Sequence, residues 1–384
     1  MKYKLMDLLN FKTQGVNTTT DHISYVEKGY KIVQAKNIAP YNITFDESNF
    51  VDEETFSRIK DNHKLHKGEV LYTNIGSQLG NSAIYEFDDE AIITWNVMKL
   101  IPNKDIIDNY YLCYLLNSNK SYIKALNTSS TMPFVSGKAL MNVEFEVPDL
   151  QTQKKVIKVL KNIEDKIKLN NEINNNLHEL MKIMFNNCID NLEEYEESVL
   201  SKIANYKNGL AMQKFRPIDE SGLPVIKIKE MNSGITSETE RCRSDIDSDV
   251  IIDNADILFA WSGTLCMSIW CEGRAGLNQH IFKVTSDKYP KWFYYFWTLK
   301  YLDNFIEIAA GKATTMGHIK RTELDKAIVK IPNEKIMEKM DKIFTPMFNE
   351  YVNNSIESKN LSELRDTLLP KLMNGEIDLD NIEI

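Results

Sequence analysis

The chain has 384 residues, of which 43% are hydrophobic and 26% charged, with a formal net charge of −9. Those values belong to a globular protein long enough for several domains with sizeable cores, and they exclude a uniformly basic protein that coats nucleic acid indiscriminately. No apolar run approaches the roughly 18 residues of a membrane helix, and no signal-like segment follows Met1-Lys2-Tyr3-Lys4, so the expectation is a cytoplasmic protein without membrane contact.

The segment Lys4 to Leu9 opens a mixed α/β domain. Tyr30 to Ala35 has the short β-branched character of a strand, and Gly68 to Tyr72 is a second strand candidate. It runs into a polar loop from Thr73 to Asn81. Ser82 to Tyr85 and Ala91 to Leu100 continue the sheet pattern. Tyr110 to Leu116 reads as a buried helix. A hydroxyl-rich loop, Asn127 to Thr131, leads to a short strand ending at Pro148. The same order then restarts. Val199-Leu200 echoes Lys4-Leu5, and Val225 to Met231 echoes Ile32 to Ile38, with Lys229 where the first copy has Lys36. Asp256 to Gly263 echoes Glu69 to Gly76, Asn278 echoes Asn96, and Phe293 to Thr298 echoes Tyr111 to Leu116.

Each copy is followed by a helical stripe. Val156, Leu160, Ile163, Ile167, Asn170, Asn174, Leu177, Met181 and Met184 alternate by four and three, the a/d pattern of a coiled coil. Shifted by 184, the stripe returns as Met340, Phe344, Met347, Tyr351, Asn354, Ser358, Leu361, Arg365 and Leu368. The same offset, without a gap, superimposes Thr131-Met132 on Thr315-Met316 and Pro148 on Pro332. The chain therefore divides as domain, helix, domain, helix: 1–150, 151–190, 191–330 and 331–384. A pseudo-twofold relation between the copies makes the helices antiparallel, which sets Val156 by Leu372, Leu160 by Leu368, Ile167 by Leu361, Leu177 by Tyr351 and Met184 by Phe344. It also gathers a polar layer, Asn174 by Asn354 and Asn170 by Ser358, that fixes the register. Pro346 is expected to kink or interrupt the second helix, and Arg365 stands out at an otherwise apolar position.

Catalytic patterns are missing. There is no phosphate-binding glycine loop and no Gly-x-Ser-x-Gly elbow. None of the ten prolines adjoins another, so the Pro-Pro-aromatic motif of DNA amino-methyltransferases is absent. The six histidines and five cysteines show no metal-ligand spacing, and the cysteines are expected to be reduced. A binding module fits better than an enzyme, and no metal or cofactor is expected on this chain.

The order of elements, the duplication, the junctions Val147 to Lys155 and Ile331-Pro332-Asn333, and the C-terminal run Leu364 to Ile377 resemble the specificity subunit of type I restriction–modification enzymes over essentially the whole length. The resemblance implies two mixed α/β target recognition domains and an antiparallel helix pair that sets their spacing. It also implies a non-catalytic, DNA-binding role, each domain reading one half of a bipartite site in double-stranded DNA. Two methyltransferase subunits, carrying S-adenosylmethionine, and restriction subunits are the implied partners. A coiled-coil scaffold or adaptor that does not bind DNA is the competing reading. Candidate DNA contacts are the polar groups of the recurring loops. In the first domain these are Lys36, Asn74, Ser77, Gln78, Asn81, Asn96, Thr131 and Lys138. In the second they are Lys227, Lys229, Trp261, Ser262, Thr264, Asn278, Gln279, Lys312, Thr314, Thr315, His318, Lys320 and Arg321.

Overall fold

The computed structural model describes residues 1–45, 49–127, 129, 131–217, 222–311, 317–377 and 379. The chain forms two compact units, one of residues 1–165 with 363–384 and the other of residues 166–362.

In the first unit, Leu9–Gln14, Val97–Pro102, Val70–Thr73 and Ser82–Ile84 form an antiparallel sheet in that order. A second sheet has the order Asn49–Val51, Tyr30–Val33, Ala91–Ile93, Lys64–Leu65, in which only Tyr30–Val33 and Ala91–Ile93 run parallel. The apolar run from Ala91 onward is thus two strands, not one. It breaks at Thr94-Trp95-Asn96 and crosses from one sheet to the other. The helix Asn109–Ser118, capped by the Asp108 carboxylate accepting from the Tyr110 amide, buries Tyr111 to Leu116. A two-stranded sheet of Lys2–Lys4 and Glu144–Glu146 closes the domain.

The second unit repeats this plan. Its sheets have the orders Asn205–Asn208, Ile281–Thr285, Ile257–Ala260, Cys266–Ile269 and Arg241–Cys242, Leu223–Ile226, Ala275–Leu277, Ile251–Ile252. Leu223–Ile226 and Ala275–Leu277 are again the parallel pair, and Tyr195–Val199 pairs with Ile328–Pro332. The helix Lys291–Lys300 buries Trp292 to Thr298.

The duplication extends to buried charge. Lys99 reaches Glu69 at 3.1 Å and donates to the Lys64 carbonyl at 2.6 Å, which ties one sheet to the other. Lys283 does the same with Asp256 at 3.0 Å and the Ile251 carbonyl at 2.8 Å. Even the amide three residues before each carboxylate donates to it, His66 to Glu69 and Asp253 to Asp256.

The long helices are Leu150–Asp190 and Glu334–Met373. They pair antiparallel. In the first unit Val156 and Leu160 share a core with Leu368, Leu369 and Leu372. In the second, Leu177, Met181, Met184 and Phe185 meet Phe344, Met347, Phe348 and Tyr351. Asn354 donates to Asn174 Oδ1 at 3.2 Å, and Asn174 donates to the Tyr351 carbonyl and to Ser355 Oγ. Asn170, expected beside Ser358, takes other hydrogen-bond partners. It donates to the Asn354 carbonyl at 3.4 Å and to Glu357 at 2.8 Å, and Ser358 Oγ has no partner among the described residues. Glu357 lies on the flank of the stripe, where its charge makes it the stronger acceptor. Pro346 does not interrupt the second helix; it is exposed. Arg365 is accommodated because its guanidinium lies 4.4 Å from the Tyr41 ring centroid.

Beside Arg365, the half-buried Glu164 accepts a hydrogen bond from Tyr114 at 2.9 Å, while its other oxygen is covered and has no partner among the described residues. Burial pushes this carboxyl up to about 7, against the opposing pull of Tyr114, Arg365 and Lys161. The folded chain therefore holds the proton more tightly than an unfolded one, whose carboxyl titrates near 4.5. The associated stability is fully present below that pH and is lost as pH rises through about 7. The total is about 3 kcal/mol. In thermal denaturation between pH 5 and pH 8, Glu164→Gln is expected to flatten the decline of the first unit's midpoint. An unchanged slope would assign the pH dependence elsewhere.

Candidate nucleic-acid interface

In each unit the polar loops converge where the parallel strand pair ends. The Thr94 amide donates to the Val33 carbonyl at 3.1 Å, so the residues after Val33 and those around Trp95 leave the sheet side by side. The Asn278 amide does the same to Ile226 at 3.0 Å. Carboxyl ends of parallel strands are a common place for ligands, and here they carry Lys36 and Asn96 in one unit, and Lys227, Lys229, Asn278 and Gln279 in the other.

A second pair of loops is joined to each other. Gly76 donates to the Pro133 carbonyl at 2.8 Å and Val135 to the Asn74 carbonyl at 3.1 Å, with Ile75 bridged to Phe134. In the second unit, Gly263 donates to Gly317 at 2.9 Å and Ile319 to Trp261 at 3.1 Å, with Ser262 bridged to His318. Gly76 and Gly263 have φ of 97° and 76°, a region that side chains other than glycine rarely enter. The loops read separately from the sequence therefore form one edge in each unit.

Side chains link this edge to the strand ends. In the first unit Gln14 and Asn74 exchange amide hydrogen bonds of 2.9 and 3.2 Å, and Gln14 also donates to the Trp95 carbonyl. In the second, Trp261 stands where Asn74 does, its ring 5.6 Å from Phe282, 6.0 Å from His280 and 6.4 Å from His318.

Several candidates belong to the scaffold rather than the surface. Asn74 and Asn81 are 2% and 1% exposed. Asn81 donates to the Ile38 carbonyl and to Gln78, and accepts from Lys120. Asn278 and Ser262 are also buried. Asn278 corresponds to Thr94, not to Asn96, because the two occupy the same bridge, Val16 to Thr94 and Leu210 to Asn278. Residues two apart around a turn are easily confused when only spacing is read. Arg321 donates to the Tyr206 carbonyl and lies over Phe282. Ser77, Gln78, Thr131, Lys138, Thr264, His318 and Lys320 are exposed on or beside the loops. Lys227, half-buried, and Lys229, exposed, face Glu240 at 2.5 Å and Glu238 at 3.7 Å, surface pairs worth at most about 1 kcal/mol and open to competition by phosphates. Lys312, Thr314 and Thr315 lie outside the described residues.

The sequence reading missed Gln14, Trp95 and His280. Trp95 is 39% exposed at the crossing turn, inside a run that reads as continuous sheet in the sequence. Gln14 and His280 become visible only when three distant loops are brought together. Among the described residues, no group of His, Cys, Asp and Glu could hold a metal ion, and no helix is long and apolar enough to cross a membrane.

Two repeats of a mixed α/β domain, each presenting a polar loop edge and followed by a long pairing helix, define a duplicated α/β protein with a two-helix core. Residues 13–179 and 192–363 match the type I restriction modification DNA specificity domain; the chain belongs to that family and is a non-catalytic, DNA-binding specificity subunit of a type I restriction–modification system. It is similar to the MjaIX specificity subunit of Methanocaldococcus jannaschii, 24% identical over 82% of this chain and 79% of that one. It is also similar to the HindI specificity subunit of Haemophilus influenzae, 21% identical over 82% and 87%. The fold is that of the type I S subunit from M. genitalium, with a TM-score of 0.58 at 14% identity over 97% and 95% of the two chains.

Proposed function

We propose that the domains at 1–150 and 191–330 each read one half of a bipartite DNA sequence, and that the helices at 151–190 and 331–384 set the distance between the halves and dock two methyltransferase subunits. The observation that supports this reading is the repeated backbone frame. The same strand ends and bridged loops recur in both units, yet they carry different side chains: Asn74 against Trp261, Trp95 against Gln279, Phe134 against His318. A frame that is kept while its polar groups change suits two versions of one recognition task. Exposed lysines would position the phosphates, and loop side chains would read base edges. The methyltransferase subunits would bring S-adenosylmethionine and flip the target base, which is out of reach inside the duplex. Restriction subunits would join the same assembly.

The helix stripe gives the length. Val156 to Met184 is 28 steps (184 − 156), or about 42 Å at roughly 1.5 Å per residue, enough to span half-sites about one B-DNA turn of roughly 34–36 Å apart. Exchanging residues 198–330 for those of a relative is expected to change one half of the methylated sequence only. Deleting Ile163 to Leu169 with the facing residues 359–365 is expected to keep both halves and shorten the gap. Methylome sequencing with the methyltransferase partner tests both. A swap that alters both halves, or a deletion that changes base identity, would overturn the reading.

A further inference from the structure

We infer that Gln279 and His280, seated on Trp261, are base-reading residues of the second unit, and that they take a base with an exocyclic amine in the major groove, adenine or cytosine. The inference rests on the half-site reading above and names the side chains that carry it in one half.

The turn Asn278 to Ile281 is held on all sides by backbone bonds. Asn278 donates to Ile226 at 3.0 Å, Ile281 to Asn278 at 3.1 Å, and Gly209 to Ile281 at 3.0 Å. Gln279 and His280 are left at its tip, half-buried. Gln279 Nε2 lies 3.2 Å from His280 Nε2, and the His280 ring leans on Trp261, which is stacked on Phe282. Three polar atoms of this cluster have no partner among the described residues: Trp261 Nε1, Gln279 Oε1 and His280 Nδ1. Eleven such atoms occur in the described chain, so more than a quarter of them fall in this one corner. Covered polar atoms without partners are costly, and a group of them calls for an explanation.

The first unit supplies the contrast. The same corner there is closed on itself, since Gln14 and Asn74 satisfy each other and Thr94 Oγ1 donates to Asn96 Oδ1 at 2.5 Å. The amides of one frame satisfy each other, with Thr73 Oγ1 beside them left without a partner among the described residues; the other frame keeps an acceptor and a donor in reserve.

The chemistry of those atoms selects the ligand. A carboxamide oxygen accepts only, so a phosphate cannot satisfy Gln279 Oε1. An amino group can, and in the major groove that means adenine N6 or cytosine N4. The indole N–H of Trp261 donates only and asks for a neighbouring acceptor such as purine N7, guanine O6 or thymine O4. Rotation of the Gln279 side chain at the turn tip would carry Oε1 to a base edge, and a shift of His280 off the indole would uncover Trp261 Nε1.

The test uses the full subunit assembled with its methyltransferase partner. Gln279→Leu is expected to relax one position of the second half-site by roughly tenfold in preference, leaving the first half and the salt dependence of binding unchanged. Trp261→Phe keeps the ring stack and removes only the N–H; it is expected to weaken preference at the same or an adjacent position, and it keeps the proposal testable should Gln279→Leu fold poorly. Unchanged methylation motifs in both variants would overturn the inference and leave the half-site reading standing. A shallower salt slope with an unchanged motif would make Gln279 a backbone contact and overturn it as well. A change in the first half-site would sink the half-site reading itself.

Discussion

Gly209→Ala will unfold the second unit and leave the first intact. A Cβ at Gly209 would sit 2.1 Å from the Leu277 carbonyl oxygen and 2.3 Å from that of Asn278. Both atoms are backbone, and both belong to the strand end and turn that carry Gln279 and His280. Moving away would break the bonds from Gly209 to Ile281 and from Leu210 to Leu277. Substitutions that force backbone apart fall in the exceptional range above roughly 4 kcal/mol. Gly15 is the counterpart, with the Ile93 and Thr94 oxygens both at 2.3 Å, so Gly15→Ala will do the same to the first unit. Hydrogen exchange resolves the two outcomes by segment. Residues 205–285 should lose protection in one variant and residues 9–102 in the other. A Gly209→Ala protein that keeps wild-type protection in its second unit would show that the strand crossing is looser than its geometry.

Removing the buried lysine amine comes next in size. Lys99→Met keeps the length of the side chain and deletes its charge, which leaves the Glu69 carboxylate sealed without its cation. The Lys99 side chain is 3% exposed and that of Glu69 13%. Breaking one side of such a pair costs about 3–5 kcal/mol, whereas replacing both partners by apolar groups is often neutral. Lys99→Met is therefore expected to lose several kcal/mol in urea denaturation, and Lys99→Met with Glu69→Leu to recover most of it. Lys283→Met with Asp256→Leu should repeat the pattern in the second unit, at smaller amplitude because those side chains are 18% and 17% exposed. If the double variants are no better than the single ones, the hydrogen bonds to the Lys64 and Ile251 carbonyls, and not the ion pairs, hold the sheets together.

The helix pair was legible in the sequence because period 3.5 with polar residues at fixed places leaves few solutions. Asn174 and Asn354 announced their meeting by number alone. The amide of Asn170 bonds Glu357 and not Ser358, because a carboxylate one position away competed for it, and stripe positions say nothing about their flanks. The duplication showed the elements recurring in the same order, yet it could not show that Ala91 to Leu100 changes sheets at Trp95, since both halves of that run are buried and, Lys99 apart, apolar. The polar loops were found, but burial divided their members. Asn74 and Asn81 are amides whose partners, Gln14, Ile38 and Lys120, come from elsewhere in the chain, and an amide in a loop looks the same whether it faces water or a carbonyl. Lys99 was one of 46 basic residues, with nothing local to mark it.

The last turns of the second long helix pack into the first unit, where Leu368, Leu369 and Leu372 cover Val156 and Leu160. This has a consequence for the order in which the chain matures on the ribosome. Residues 166–362 are contiguous and can reach their full set of contacts as soon as they emerge. The unit begun first must wait, its apolar seam open, for residues made nearly two hundred positions later (362 − 166). Of the two units, the one synthesised earlier is thus the one finished later, and a ribosome that stalls between the two events holds a nascent chain with one mature domain and one exposed seam, the state in which a chaperone has most to do.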